Sequence, residues 1–137
     1  MIQDTLRFKY TTSRGRDTYG YNICSLYVNG KKAYSCNGGG YDMKGTVFAN
    51  YIQNNYQKQL NTLNSKDFYG MWFYKDNGTG VERVNTYEES NKKGAYLDGA
   101  CGFDSMRRIL EACNAKLQFI DSDKHGDDVI YLVTDNN

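Results

Sequence analysis

The chain has 137 residues, 39% of them hydrophobic, which is the length and apolar content of a single domain with its own core. Its formal charge of +1 excludes a strong global attraction to nucleic acid or anionic lipid. The charge is unevenly placed, with nine Lys/Arg against four Asp in residues 1–68 and eight basic against twelve acidic residues in the remainder. Two readings follow: a basic face for a phosphate-bearing or acidic partner, or scattered surface charge that folding interleaves.

Leu6 to Thr12 alternates polar and apolar residues as a half-buried strand does, and Ser13 to Asp17 reads as an exposed loop. Tyr19 to Val28 is rich in strand formers, Asn29-Gly30 signals a tight hairpin because both positions of a type I′ turn need positive φ, and Lys31 to Cys36 returns as the partner strand. Residues 6–36 are therefore expected to form a three-stranded antiparallel meander. Alternation puts Tyr19, Tyr21, Ile23 and Tyr27 on one face and Cys24, Leu26 and Val28 on the other.

After Gly38-Gly39-Gly40, the segment from Asp42 to about Leu63 takes a helical period, with Val47, Phe48, Tyr51, Ile52, Tyr56, Leu60 and Leu63 on one stripe. A second hairpin is predicted from Phe68 to Lys75 and from Val81 to about Tyr87, turning at residues 76–80. Residues 88–100 are polar and irregular. Asp104 or Ser105 is the expected cap of a second helix that stops near Asn114, followed by strands at Leu117–Ile120 and Val129–Val133. The predicted fold class is α+β, a mainly antiparallel sheet of about five to seven strands packed against two helices, in one domain over residues 1–137.

No stretch reaches the length of a membrane span, and Met1 opens onto a polar stretch without the apolar core of a signal peptide, so a cytoplasmic location and no membrane partner are expected. The four cysteines, Cys24, Cys36, Cys101 and Cys113, match no metal-binding spacing and are read as reduced thiols, with Cys24 and Cys36 placed to face each other across the hairpin. With a single His and no paired cysteines, neither a zinc site nor a cofactor is expected. The acidic turn at Asp121, Asp123, Asp127 and Asp128 lacks the fixed Gly and terminal Glu of an EF-hand.

Three constellations are candidates for binding. Gly38, Gly39, Gly40, Tyr41 and Lys44 combine a glycine loop with a helix start, where free N–H groups and the helix dipole favour anions; the order Lys-Gly-Thr is not that of a Walker A. Arg107 and Arg108 follow a second glycine-bearing segment, Asp98 to Asp104. Tyr10, Arg14, Arg16, Tyr19 and Tyr21 interleave guanidinium groups with rings, as surfaces that grip phosphates or protein partners do, although rings packed under the first helix would carry the same pattern. A cysteine-dependent enzyme is a further alternative, with Cys101 as nucleophile near a helix start and His125 as the one available base.

The stretches SRGRDTYGYNICSLYVNGKK, CNGGGYDMKGT and LDGACGFDSMRRI resemble a family of small phage and bacterial mobile-element proteins. The resemblance brings no activity with it; it implies a setting, the cytoplasm of a bacterial host. In that setting the expected function is non-enzymatic: binding to a host protein or ribonucleoprotein complex, as an inhibitor of a bacterial defence system in the manner of an anti-CRISPR protein. The alternative is a sponge for a nucleotide or signalling ligand, gripping its phosphate through Gly38–Gly40 and Arg107/Arg108. Nucleic acid contact through phosphates and pairing of two copies at an open sheet edge are also compatible with these residues.

Overall fold

The computed structural model describes residues 3–11, 22–37, 43–68, 71–90, 97–98 and 102–136. In chain order these residues form β1 (Gln3–Thr11), β2 (Ile23–Val28), β3 (Lys31–Asn37), α1 (Met43–Asn55), the single turn α2 (Gln57–Leu60), a 3-10 turn (Ser65–Asp67), β4 (Trp72–Asp76), β5 (Val81–Val84), β6 (Leu97–Asp98), α3 (Phe103–Ala112), β7 (Ala115–Ser122) and β8 (Asp128–Asp135). The fold is α+β with every strand pair antiparallel. The strands divide into a five-stranded sheet, β3-β2-β1-β8-β7, and a three-stranded one, β5-β4-β6.

The expected meander is present, and its turn has the predicted cause: Asn29 sits at φ 53° and Gly30 at φ 86°. Asn29 also ties the turn to the neighbouring strand, because its Oδ1 accepts from the Thr5 amide at 2.8 Å and its Nδ2 donates to Asp4 at 2.9 Å. The amino-terminal strand β1 then pairs on its other side with β8, Leu6 opposite Tyr131 and Phe8 opposite Val129. Alternation sorts the two faces as the residues dictate, with Leu6, Phe8, Cys24, Leu26, Val129, Tyr131 and Val133 pointing into the core.

α1 is buried on most of its circumference (Met43, Gly45, Val47, Phe48, Ala49, Tyr51 and Ile52), since it touches β2 and β3 of the large sheet and β6 of the small one. The helix predicted to run on to Leu63 breaks at Tyr56, where φ −132° and ψ 31° leave the helical region. Just before the break the side chains of Asn54 and Asn55 donate to the carbonyls of Asn50 and Tyr51 at 2.8 and 2.9 Å, supplying the helix end with local partners. Tyr56, Leu60 and Leu63 nonetheless all reach the core, so the apolar stripe outlasts the helix that was inferred from it.

α3 begins earlier than its expected cap. Gly102 is the N-cap residue, with no side-chain cap, and the Met106 amide donates to the Gly102 carbonyl at 3.0 Å. Asp104 therefore lies in the first turn, where the helix dipole favours a carboxylate. Starting at Phe103 lets that ring stack on Tyr131, with centroids 5.8 Å apart and planes at 19°. The helix ends as expected, with Asn114 in the left-handed region at φ 61°.

Candidate functional site

The helices reach the large sheet through its inward-facing residues: Lys44 of α1 and Phe103 of α3 meet Tyr131, Tyr51 donates to Asp4 at 2.7 Å, and Tyr56 donates to Asp135 at 3.2 Å. Among the described residues no helix lies on the opposite face. That outer face carries Ile23, Tyr27, Ile130 and Leu132, all half-buried and interleaved with charge of both signs: one row across the strands runs Lys32, Tyr27, Arg7, Ile130, Asp121, and Lys9, Asp128 and Lys116 share the face. Arg7 is tied to Asp128 by Nε and Nη2 at 2.8 and 2.6 Å, and its guanidinium carbon stands 5.8 Å from the Tyr27 ring centre. The same hydrogen bond holds the Asp128 carboxyl below the usual carboxylate range and raises the Arg7 pKa. Lys9, Lys32 and Lys116 make no ion pair among the described residues.

A second concave region lies where the small sheet, the 3-10 turn and α3 meet. The Ser65 amide donates to the Asn85 carbonyl at 2.8 Å and the Asn64 side chain accepts from the Lys66 amide at 3.0 Å, which anchors the turn beside the end of β5. From that turn Lys66 and Phe68 face a cavity of about 800 Å3 that Trp72, Asn85 and Arg108 also line. A smaller cavity of about 200 Å3 adjoins it, shares Phe68 and Arg108, and is bounded by Ser105 and Ile109 of α3. Arg83, opposite Tyr74 in the ladder, places its guanidinium 4.0 Å from the Trp72 ring centre.

The predicted binding residues are distributed unequally over this structure. Arg108 is exposed and lines both cavities, with no ion pair among the described residues. Arg107, its neighbour, is engaged on its own helix by Asp104 at 3.5 Å and Glu111 at 3.0 Å, because residues three and four apart share one helix face. The Lys44 ammonium stands 5.1 Å from the ring centres of both Phe8 and Tyr131 and donates to the Tyr131 hydroxyl at 3.1 Å. The first turns of α1 and α3, each following a glycine-rich stretch, thus meet at one tyrosine. Arg14, Arg16, Tyr19, Tyr21, Gly38, Gly39, Gly40 and Tyr41 lie outside the described residues, as does Cys101.

Cys24 and Cys36 are register partners across β2 and β3, as the hairpin predicts, and both are free thiols. Burial pushes Cys24 up to about 11 and Cys113 up to about 12, the opposite of what an activated thiol needs. His125 is exposed in the turn between β7 and β8. The described residues contain no cluster of His, Cys, Asp or Glu able to hold a metal ion, and no helix long and apolar enough to cross a membrane.

Sequence reasoning missed Lys66, Phe68, Trp72, Arg83 and Asn85 as members of one site. The usable signal was small: the single Trp of the chain on a hairpin strand, with an Arg at a position that could return beside it. In comparison with known proteins, the chain matches no family model, no curated protein and no solved structure.

Proposed function

We propose that this is a non-enzymatic binding protein that docks on a macromolecular partner through the outer face of its five-stranded sheet. The observation that carries the reading is the composition of that face: four half-buried apolar and aromatic residues (Ile23, Tyr27, Ile130, Leu132) interleaved with the Arg7–Asp128 pair and with Lys9, Lys32 and Lys116, three lysines that close no ion pair among the described residues. Apolar and aromatic side chains mixed with charge are the composition of a protein interface, and the three lysines offer cations to acidic groups opposite them. Thr11 and Asn22, joined by a 3.1 Å backbone hydrogen bond, mark the end of the sheet from which the segment carrying Arg14, Arg16, Tyr19 and Tyr21 departs. Those side chains extend the same chemistry by sequence.

The partner we propose, on the resemblance of the quoted stretches to phage and mobile-element proteins, is a bacterial host protein or ribonucleoprotein complex, and the proposed biological outcome is blocking of a defence system such as a CRISPR nuclease. The test is capture of a partner from host cells by the wild-type chain, by a Lys9→Glu, Lys32→Glu variant, and by an Arg14→Ala, Arg16→Ala variant, with folding checked by circular dichroism. A salt-sensitive complex lost in the charge-reversed variant is the expected result. A complex retained unchanged by both variants would refute the assignment of this face. Expression in cells with an active CRISPR system, read as survival of a targeted plasmid, tests the defence-inhibitor outcome separately.

A further inference from the structure

We infer that the cavity between the 3-10 turn, β4 and α3 is a binding site for a nucleoside monophosphate, independent of the outer sheet face. The ligand class follows from what the walls offer. Trp72 and Phe68 supply aromatic surface against which a planar base can lie, and such stacking is tolerant of base identity. Lys66, from the 3-10 turn, and Arg108, from α3, supply two cations without ion-pair partners among the described residues. A phosphate accepts charge-assisted hydrogen bonds from both types, bidentate in the case of a guanidinium. Asp67 and the Asn85 side chain, also on the wall, are acceptors of the kind that ribose hydroxyls seek.

The size agrees. At about 800 Å3 the cavity is within the range of small-molecule sites, and the adjoining space of about 200 Å3 beside Ser105 and Arg108 leaves room for a phosphate beyond the base. Charge agrees as well. Asp104, the acidic residue on the α3 side, is already paired with Arg107, so it opposes Arg108 less than its position implies. Arg83 covers part of the Trp72 ring and adds a third cation at the rim of the small sheet. Anchoring of the turn by Asn64 and Asn85 keeps the two walls in place before a ligand arrives, which lowers the ordering cost of binding.

Trp72 is the one Trp in the chain, so its emission reports on this cavity alone. The experiment titrates the full chain with each of the four ribonucleoside 5′-monophosphates, with adenosine and inorganic phosphate as the half-ligands. Saturable quenching by at least one nucleotide is expected, with each half-ligand weaker by about tenfold or more, the scale of one charge-assisted contact. Arg108→Ala, and separately Lys66→Ala, should each weaken the nucleotide about tenfold by the same scale with the circular dichroism spectrum unchanged. The Lys9→Glu, Lys32→Glu variant should bind the nucleotide as wild type does, which separates this site from the docking face. No saturable change at millimolar nucleotide overturns the inference. So does inorganic phosphate binding as tightly as the nucleotides, full affinity in both single variants, or binding of a short single-stranded oligonucleotide without binding of any mononucleotide.

Discussion

The inner side of the five-stranded sheet and the cavity beside the small sheet treat polar groups in opposite ways. Under the large sheet every buried polar side-chain atom among the described residues has a partner. Asp4, 9% exposed, accepts from Tyr51 and Asn29, and Asp135, 1% exposed, accepts from Tyr56. Around the cavity, Lys66 and Arg108 stand beside aromatic rings and make no ion pair among the described residues, although Asp67 and Asp104 also lie on the walls. The first arrangement spends its hydrogen bonds on a single conformation; the second leaves them to be completed by something else. Stability and binding are therefore expected to separate under mutation.

The largest effect should come from the inner side. Phe8 is fully buried and lies edge-on to Tyr131, so Phe8→Ala should cost about 3–5 kcal/mol in urea unfolding and bring down both surfaces together. Tyr51→Phe keeps the ring and removes the hydroxyl that bonds Asp4. A loss of about 1–3 kcal/mol is expected, because a buried carboxylate is left short of a donor. If Tyr51→Phe were neutral, the paired network would not be what holds the sheet and α1 together.

pH offers the next distinction. Burial, with help from the neighbouring carboxylates, raises the pKa of both Tyr51 and Tyr56, so the folded protein keeps these hydroxyls protonated where an unfolded chain would ionise them. Their contribution is fully present below the unfolded tyrosine value of about 10 and is lost as pH rises from there towards the raised folded values. Thermal unfolding followed from pH 8 to 11 should show the decline, and the Tyr51→Phe, Tyr56→Phe double variant should show less of it. The Arg7–Asp128 pair acts in the other direction. Asp128 is depressed by its bond to Arg7, so the pair stabilises above the unfolded carboxylate value of about 3.9 and loses this as pH falls through the lower folded value. With side-chain exposures of 43% and 27% the two are screened by solvent, and Arg7→Ala should cost less than about 1 kcal/mol at neutral pH.

The smallest stability effect belongs to the cavity. Arg108→Ala and Lys66→Ala should shift the unfolding midpoint within about 0.5 kcal/mol of wild type, since neither makes an ion pair among the described residues. A large destabilisation by either would show that it serves the scaffold, and the contrast between the two regions would fail.

The local pieces of the fold were legible in residue order. Asn29-Gly30 announced a hairpin because few other pairs accept positive φ twice in succession, and the stripe from Val47 to Leu63 marked the residues that reach the core. The helix break at Tyr56 was not legible, because periodicity records which side chains are buried and is silent on whether the backbone between them stays helical. Asp4 gave no sign of its role either. An acidic residue near a chain end reads as solvent-facing until strand parity, Tyr51 and the Asn29 side chain all converge on it. Of the binding residues chosen by composition, Arg108 lines the two cavities beside α3 and Arg107 lines neither, although they are adjacent; one helical step of about 100° separates a wall from an ion pair.

Residue order by itself determined the turns, the strand formers and which face of each element is apolar, because those depend on φ preferences and on periods of two or three to four residues. The neighbours were decided only in three dimensions. β1 pairs with β8 from the far end of the chain, and Lys66, Trp72, Asn85 and Arg108 meet around one space from four separate stretches of the sequence. Such contacts have no local signature, since what selects them is the burial of the whole core at once rather than any preference of the residues that end up touching.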